Sequence, residues 1–422
     1  MSKLFKAVDW SVKCNIYEVN VRQYTEEGTF EAFSQQIPRL NEMGVEVLWF
    51  MPITPISTTT RQGSLGSYYA CSDYVSINPE FGSLEDFKNV VNIAHAHGMK
   101  VIIDWVANHT GWEHTWVNTH PEFYKRNAAG QFYDSNNWHD VIDLNYYDQN
   151  LRRAMIDAMR FWIDSAEIDG FRCDMAHLVP LDFWRNARME LDQVKPLFWL
   201  AETEQVNYDE VFDCIYAWNW MHKTEAFFKK SIGMHELRES LDAMILNFPN
   251  CTHLLFTTNH DENSWNGTEY EKYGSAALPL AIFSITWKGV PLIYSGQENP
   301  NHKRLNFFDK DLIEWTINPQ LLQFYQTLLH LRRRHPAIDG DKNSTATFLE
   351  TGAYDKAIAF VRSRDNRKVL VILNFSDDNI EIKLSDPIIE GNYREVFTQQ
   401  EIVIKGSTNF SMKGGGYVVY EE

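Results

Sequence analysis

The chain has 422 residues, 44% hydrophobic and 23% charged, an ordinary globular composition that excludes collagenous, low-complexity and disordered classes. Its 39 basic and 57 acidic side chains leave a formal charge of −18, which disfavours a nucleic-acid backbone, an anionic substrate or an acidic membrane surface. A neutral ligand is the natural complement, and the 14 Trp and 19 Tyr supply flat apolar faces with a polar edge that suit one. Five widely spaced cysteines (Cys14, Cys71, Cys173, Cys214, Cys251) without a CxxC pair argue against a disulfide scaffold or a zinc ribbon. No run of about 18 apolar residues occurs, and no leader precedes the first apolar stretch, so the chain reads as cytoplasmic.

In chain order, short apolar runs alternate with stretches of helical period. The runs are Asn15–Val19, Val45–Met51, Lys100–Trp105, Gly170–Asp174, Leu197–Glu202, Cys214–Ala217, Leu254–Thr258 and Pro291–Ser295. Phe30–Met43 predicts a helix ended by Gly44, and the Ser83–Asp86 capping box predicts one that stops at Gly98. Further helices are predicted over Leu151–Glu167, Leu181–Val194, His235–Leu246, Ala276–Lys288 and Pro319–His335, the last stopped by Pro336. Eight near-continuous strands alternating with helices predict an α/β fold, a closed (β/α)8 TIM barrel. The barrel is divided as 1–109 and 150–340, with 110–149 as a short inserted domain after strand 3. From about 345 the pattern becomes alternating, with turn signals such as Asp365-Asn366, which predicts a C-terminal antiparallel β-sandwich over 345–422.

In such a barrel, catalytic groups sit at the carboxyl ends of strands. Strand 3 ends in Asp104 and leads to His109, strand 4 carries Arg172 and Asp174, strand 5 ends in Glu202, and strand 7 leads to His260 and Asp261. Three acids sharing one pocket cannot all stay ionised without compensation. Arg172, two residues before Asp174, shares its side of the strand and is expected to keep it ionised and nucleophilic. Glu202 has no adjacent cation in the sequence and is the better general acid. One ionised acid beside one protonated acid is the requirement of retaining glycoside hydrolysis, leaving Asp261 to hold sugar hydroxyls more tightly as the ring flattens.

These residues, read as DWVANH (Asp104–His109), GFRCDMAH (Gly170–His177), LAETE around Glu202 and FTTNHD (Phe256–Asp261), resemble the four signature regions of the α-amylase family, glycoside hydrolase family thirteen. MPITPI after strand 2 and the SYYACSDY stretch, followed by INPEFGS, match accessory regions. The resemblance implies Asp174 as nucleophile, Glu202 as acid/base and Asp261 as transition-state stabiliser. It also implies Arg172, His109 and His260 on the sugar hydroxyls, Tyr69 stacked beneath the ring in preference to Tyr68, and Asp104 counted with the substrate-binding group as the buttress of Arg172. The activity implied is cleavage of α-1,4-glucosidic bonds in starch, glycogen or maltooligosaccharides, with a monomeric chain and neither nucleic acid nor membrane as partner.

The alternatives are an exo-acting α-glucosidase or α-glucan transglycosidase and, more distantly, a non-catalytic glycan-binding relative. His177-Leu178 stands where the family often has Lys-His, and Met175 follows the nucleophile, so acceptor contacts and linkage preference stay open. No cofactor is required. Many members of the family carry a structural Ca2+, for which Asn108 and Asp143 occupy ligand-like positions. Among the remaining candidates, Trp112, Trp116 and Trp138 read as the insertion's own core, Cys173 as buried filler facing the helices, and Arg332-Arg333-Arg334 as a solvated helix end.

Overall fold

Eight strands buried along nearly their whole length close into a parallel barrel in the computed structural model, which describes residues 4–316, 318–340 and 343–422. Residues 1–3 and Ile317, which fall within the expected barrel segments, lie outside the described residues. The barrel strands are β1 (Ile16–Val19), β2 (Val47–Phe50), β3 (Lys100–Trp105), β4 (Gly170–Cys173), β5 (Phe198–Ala201), β6 (Cys214–Tyr216), β7 (Thr252–Leu255) and β8 (Val290–Tyr294). They pair in sequence order and β8 closes onto β1. Such strands must be apolar on both faces, because one face fills the barrel and the other meets the helices. Ile16, Trp49, Ile102, Leu200, Leu254 and Leu292 pack together as the interior filling. Tyr17, Leu48, Phe171, Trp199 and Ile293 join the larger core under the helices, and Cys173 lies there as expected.

Most predicted helices form within two or three residues of their expected ends. Ser83 and Asp86 close the capping box of Leu84–Ala96. The Phe30–Met43 prediction breaks into two helices, Phe30–Ser34 and Ile37–Met43, because Pro38 lacks the N–H needed to continue the first ladder. An aromatic-rich helix at Trp218–Phe228 had no clear period in the sequence. Arg332 corrects the solvated-end expectation. It is fully buried and donates to the carbonyls of Cys14, Ile285, Ile338 and Gly289, collecting backbone acceptors left at the amino-terminal side of the barrel.

Two additions shape the molecule. Between β3 and β4 the strands His109–Gly111 and Val141–Asp143 pair antiparallel and enclose an irregular segment. After the barrel, a six-stranded antiparallel sheet and a two-stranded sheet (Ile380–Leu384 with Thr408–Met412) share a core of Leu349, Val361, Leu370, Ile372, Ile382 and Phe410. The other face of the large sheet meets the barrel helices through Phe360, whose ring lies 4.9 Å from Trp287. Asp365 and Asn366 both adopt positive φ at the tip of one hairpin, the conformation a tight two-residue turn requires.

Candidate active site

Asp104 and Arg172 are register partners on adjacent strands β3 and β4, so their side chains leave the sheet together. Arg172 is 0% exposed, and its Nη1 donates to Asp104 Oδ1 at 3.0 Å and to Asp174 Oδ1 at 3.0 Å. Its Nη2 lies 2.8 Å from Glu202 Oε2, without the N–H alignment of a hydrogen bond, so that contact is charge against charge. Its Nε donates to the Tyr216 hydroxyl at 3.2 Å. One guanidinium thus joins acids from the ends of three strands. The sequence expectation that Glu202 lacks a cation is corrected here: the cation comes from the neighbouring strand, which spacing along the chain could not show.

Burial decides the proton affinities. Glu202 is pushed up to about 7 by loss of water, with Arg172 opposing and the Asp174 and Asp261 charges adding. Asp174 is pushed up to about 6 by burial against the pull of Arg172, so the guanidinium does not return it to the ordinary carboxylate range, but it still ionises before Glu202. Asp104 is likewise raised to about 6 by burial. Asp261 goes the other way: burial would raise it, and the His260 imidazole outweighs that.

His260 links the second half of the site. Its Nδ1 meets Glu18, its Nε2 lies 2.7 Å from the Tyr69 hydroxyl and 3.2 Å from Asp261 Oδ2, and these acids hold it protonated against burial. The imidazolium therefore donates to Tyr69, and Tyr69 donates to Asp104 Oδ2 at 3.1 Å. This locks the Tyr69 ring on the cavity. Tyr68 instead bonds Asn20 and lies under Arg22, away from the cavity. His109 is pushed down to about 4 by burial and is neutral; its Nδ1 faces the Asn108 amide at 3.2 Å, leaving Nε2 as a donor.

The cavity has a volume of about 260 Å3 and is lined by Tyr69, His109, Asp174, Met175, Glu202, His260 and Asp261. Of the residues expected to touch substrate, Asp104 and Arg172 stand behind this lining, paired with each other and, through Arg172, with Asp174. Met175 is in the left-handed region at φ 39°, a conformation that costs a non-glycine residue about 1–2 kcal/mol. The strained turn aims its N–H at Glu202 Oε2, 2.9 Å away.

Two family models match this chain: the α-amylase catalytic domain over residues 13–140 and 121–219, and the maltogenic amylase C-terminal domain over 346–419. The chain belongs to the α-amylase family. A maltogenic α-amylase, AmyB, from Thermotoga neapolitana superposes with a TM-score of 0.89 at 29% identity, covering 97% of this chain and 98% of that one. An α-amylase from Lactobacillus plantarum gives 0.86 at 27% identity, covering 97% and 99%. In sequence, the α-amylase MalA of Haloarcula japonica is 26% identical over 92% of this chain, and this chain spans 60% of that relative's length. The maltogenic α-amylase of Bacillus acidopullulyticus is 23% identical, with 93% and 70% covered.

Sequence reasoning missed several residues of this amylase-family site. Glu18, fully buried in β1, holds His260 and was hidden inside an apolar run; an acid in a strand otherwise buried on both faces was the available signal. Trp265, Phe307 and Phe308 line the cavity from the segments after β7 and β8, with Phe307 stacked on Tyr69 at 6.1 Å. Trp138 also lines it, 5.2 Å from the His109 ring, which corrects its reading as part of the insertion's own core; Trp116 does pack inside, against Tyr74 and Phe123.

At the calcium-ligand positions the resemblance implies, Asp143 Oδ2 accepts from the Lys125 ammonium at 3.0 Å and from Ser135, its Oδ1 is buried without a hydrogen-bond partner, and Asn108 turns its amide to His109.

The ordering of the two carboxyls sets a pH profile. With Asp174 as nucleophile and Glu202 as general acid, the roles the resemblance implies, kcat/KM is expected to rise as Asp174 ionises and to fall as Glu202, the more strongly raised of the two, loses its proton. A stopped assay across pH 4.5–9 should give a narrow bell, and Glu202→Gln should abolish its alkaline limb.

Proposed function

We propose that this chain is a retaining hydrolase of α-1,4-linked glucose chains, acting on maltooligosaccharides and the exposed ends or segments of starch and glycogen. The observation that carries this reading is the bridging of Asp174 and Glu202 by neighbouring nitrogens of one guanidinium. Such a clamp draws the carboxyls together, toward the roughly 5–5.5 Å of retaining enzymes and away from the roughly 6.5–9.5 Å that leaves room for a water. The names of these relatives, one α-amylase and two maltogenic α-amylases, support it.

In the first step Asp174 attacks the anomeric carbon as the bond to the glycosidic oxygen breaks, and Glu202 gives that oxygen its proton. In the second, Glu202 takes a proton from water, the water oxygen bonds the same carbon, and Asp174 leaves with its electron pair. Asp261, kept ionised by His260, accepts from the ring hydroxyls and is placed to bind the flattened, positively charged ring more tightly than the substrate. The Tyr69 ring lies beneath that sugar, and the neutral His109 donates to a hydroxyl.

Incubation with maltoheptaose, with products separated by length, tests the reading. Shorter maltooligosaccharides support hydrolysis, chains longer than the substrate point to glycosyl transfer, and no turnover contradicts the proposal.

One further point belongs to this proposal. Activity is independent of calcium, since Lys125 supplies the charge beside Asp143: dialysis against EDTA should leave both kcat and Tm unchanged within error, whereas Lys125→Ala should lower Tm. No helix among the described residues is long and apolar enough to cross a membrane.

A further inference from the structure

Glu18 is a buried acid with no part in the double displacement itself. It is fully buried and shares a side of β1 with Ile16, which belongs to the apolar filling of the barrel. Its register partners are Trp49 on β2 and Tyr294 on β8. Its carbonyl accepts from the Ser295 N–H at 3.0 Å and from the Ser295 hydroxyl at 2.6 Å, which fixes the backbone at this point. A carboxyl group in such a layer is costly unless a charged, hydrogen-bonding partner meets it. Oε1 meets His260 Nδ1, while Oε2 is buried without a hydrogen-bond partner. Among the described residues, the hydrogen bond that compensates this side chain comes from the imidazole alone.

The far side of the ring fixes how many hydrogens it carries. Nε2 lies 2.7 Å from the Tyr69 hydroxyl and 3.2 Å from Asp261 Oδ2. Tyr69 gives its single hydrogen to Asp104 Oδ2, so its oxygen accepts from Nε2. Asp261 offers lone pairs and needs a hydrogen on the same nitrogen. At Nδ1 the Glu18 carboxylate sets the same requirement, and acceptors at both nitrogens call for the doubly protonated ring. Trp49 meets that ring edge-on at 5.9 Å, and Tyr69 stacks on it at 5.5 Å. Burial opposes the positive charge, and Asp261 and Glu18 outweigh it. Around the pair stand Tyr69, Asp104, Arg172, Tyr216, Tyr294 and Asp261. Arg172 is the other cation among these, and Asp104, Asp174 and Glu202 share it.

We propose that Glu18 is a positioning residue for turnover: its carboxylate on Nδ1 keeps His260 an imidazolium, whose charge and Nε2 hydrogen hold Asp261 ionised and Tyr69 in place. Glu18 does not line the cavity, so it acts through His260 on the acid that grips the flattened ring. The inference rests on the proposed hydrolysis, in which Asp261 stabilises the transition state.

Glu18→Gln and Glu18→Asp separate charge from shape. Gln keeps the length and loses the charge, whereas Asp keeps the charge and loses one methylene. On maltoheptaose, Glu18→Gln is expected to lower kcat about 30-fold with KM within about threefold. Its acidic limb of kcat/KM should move to higher pH, because Asp261 without the imidazolium binds a proton more readily. Glu18→Asp should fall between Gln and wild type in both respects. Nitrogen NMR of histidine-labelled protein reads the ring directly, with the His260 signals assigned by their loss in His260→Gln. At neutral pH both nitrogens should carry hydrogen in the wild type and in Glu18→Asp, and one should be bare or the ring neutral in Glu18→Gln. A neutral His260 in the wild type overturns the proposal. So does a Gln variant that matches or exceeds the Asp variant with an unshifted pH profile, or a fall in Tm and kcat in both variants with that profile unmoved. Failure of the wild type to cleave any glucose chain overturns the hydrolytic reading; the NMR comparison then decides by itself whether Glu18 holds the imidazolium.

Discussion

Asp174→Asn should lower kcat on maltoheptaose by about 10^4-fold or more while leaving binding of the same chain within a few-fold. The substitution keeps shape and an oxygen that accepts from Arg172 Nη1, so the clamp on the pocket persists. What it removes is the electron pair that bonds the anomeric carbon, and a neutral amide cannot replace it. Loss of one member of a catalytic set that acts as a unit typically costs about 10^4–10^6 in kcat. The fold should not suffer, because Asp174 is an acid whose proton affinity burial has raised, and a neutral side chain avoids the cost of ionising it there. A steady-state assay beside calorimetric titration separates the two effects. Retention of more than about 1% of wild-type kcat would remove Asp174 from the role of nucleophile.

Arg172→Met carries the second large effect, and it should strike both turnover and stability. The guanidinium is the common counter-charge of Asp104, Asp174 and Glu202, all buried. Removing one partner of a buried ion pair typically costs about 3–5 kcal/mol because it leaves charge uncompensated. Without Arg172 the three carboxyls rise further and bind protons at neutral pH, so Asp174 is mostly protonated where the wild type is active. The acidic limb of the pH–rate profile should move to higher pH, with kcat at pH 6.5 lower by about 10^3-fold. The sign for stability follows from the same shift. Acids whose folded-state affinity for protons is raised lose stability as pH climbs from the unfolded value to the folded one, so the variant should be closest to wild type near pH 4–5 and worst above pH 7. Parallel denaturation curves at pH 5 and pH 8 check this, and an equal loss at both would contradict the assigned electrostatics.

Much of this site was legible because the barrel converts position along the chain into position in space. Once Gly170–Asp174 reads as a strand, Arg172 and Asp174 must share a face, and strand ends in Asp104, Glu202 and Asp261 must meet at one mouth. Contacts between neighbouring strands were not legible in the same way. Arg172 reaches Glu202, and Glu18 reaches His260 from β1, through a register and closure that no spacing within one strand reveals. The walls of the cavity were hidden for a different reason. Trp138, Asp140 and Phe307 sit on irregular segments, where neither a period of two nor one of 3.6 exists to be read, and Trp265 sits in a single short helical turn, Glu262–Asn266, too brief to show a period. Arg332 failed as a surface residue because its helix end faces the underside of the barrel, whose carbonyls need donors that a solvated end would not supply.

Double displacement at the anomeric carbon, with Asp174 as nucleophile and Glu202 as acid and base, fixes the configuration of the first product. Proton NMR of maltoheptaose digestion in its first minutes, before mutarotation erases the record, tests it most directly. With this mechanism the new reducing ends appear first as the α-anomer and relax later toward the equilibrium mixture. First appearance as the β-anomer would show inversion by a single displacement and contradict it.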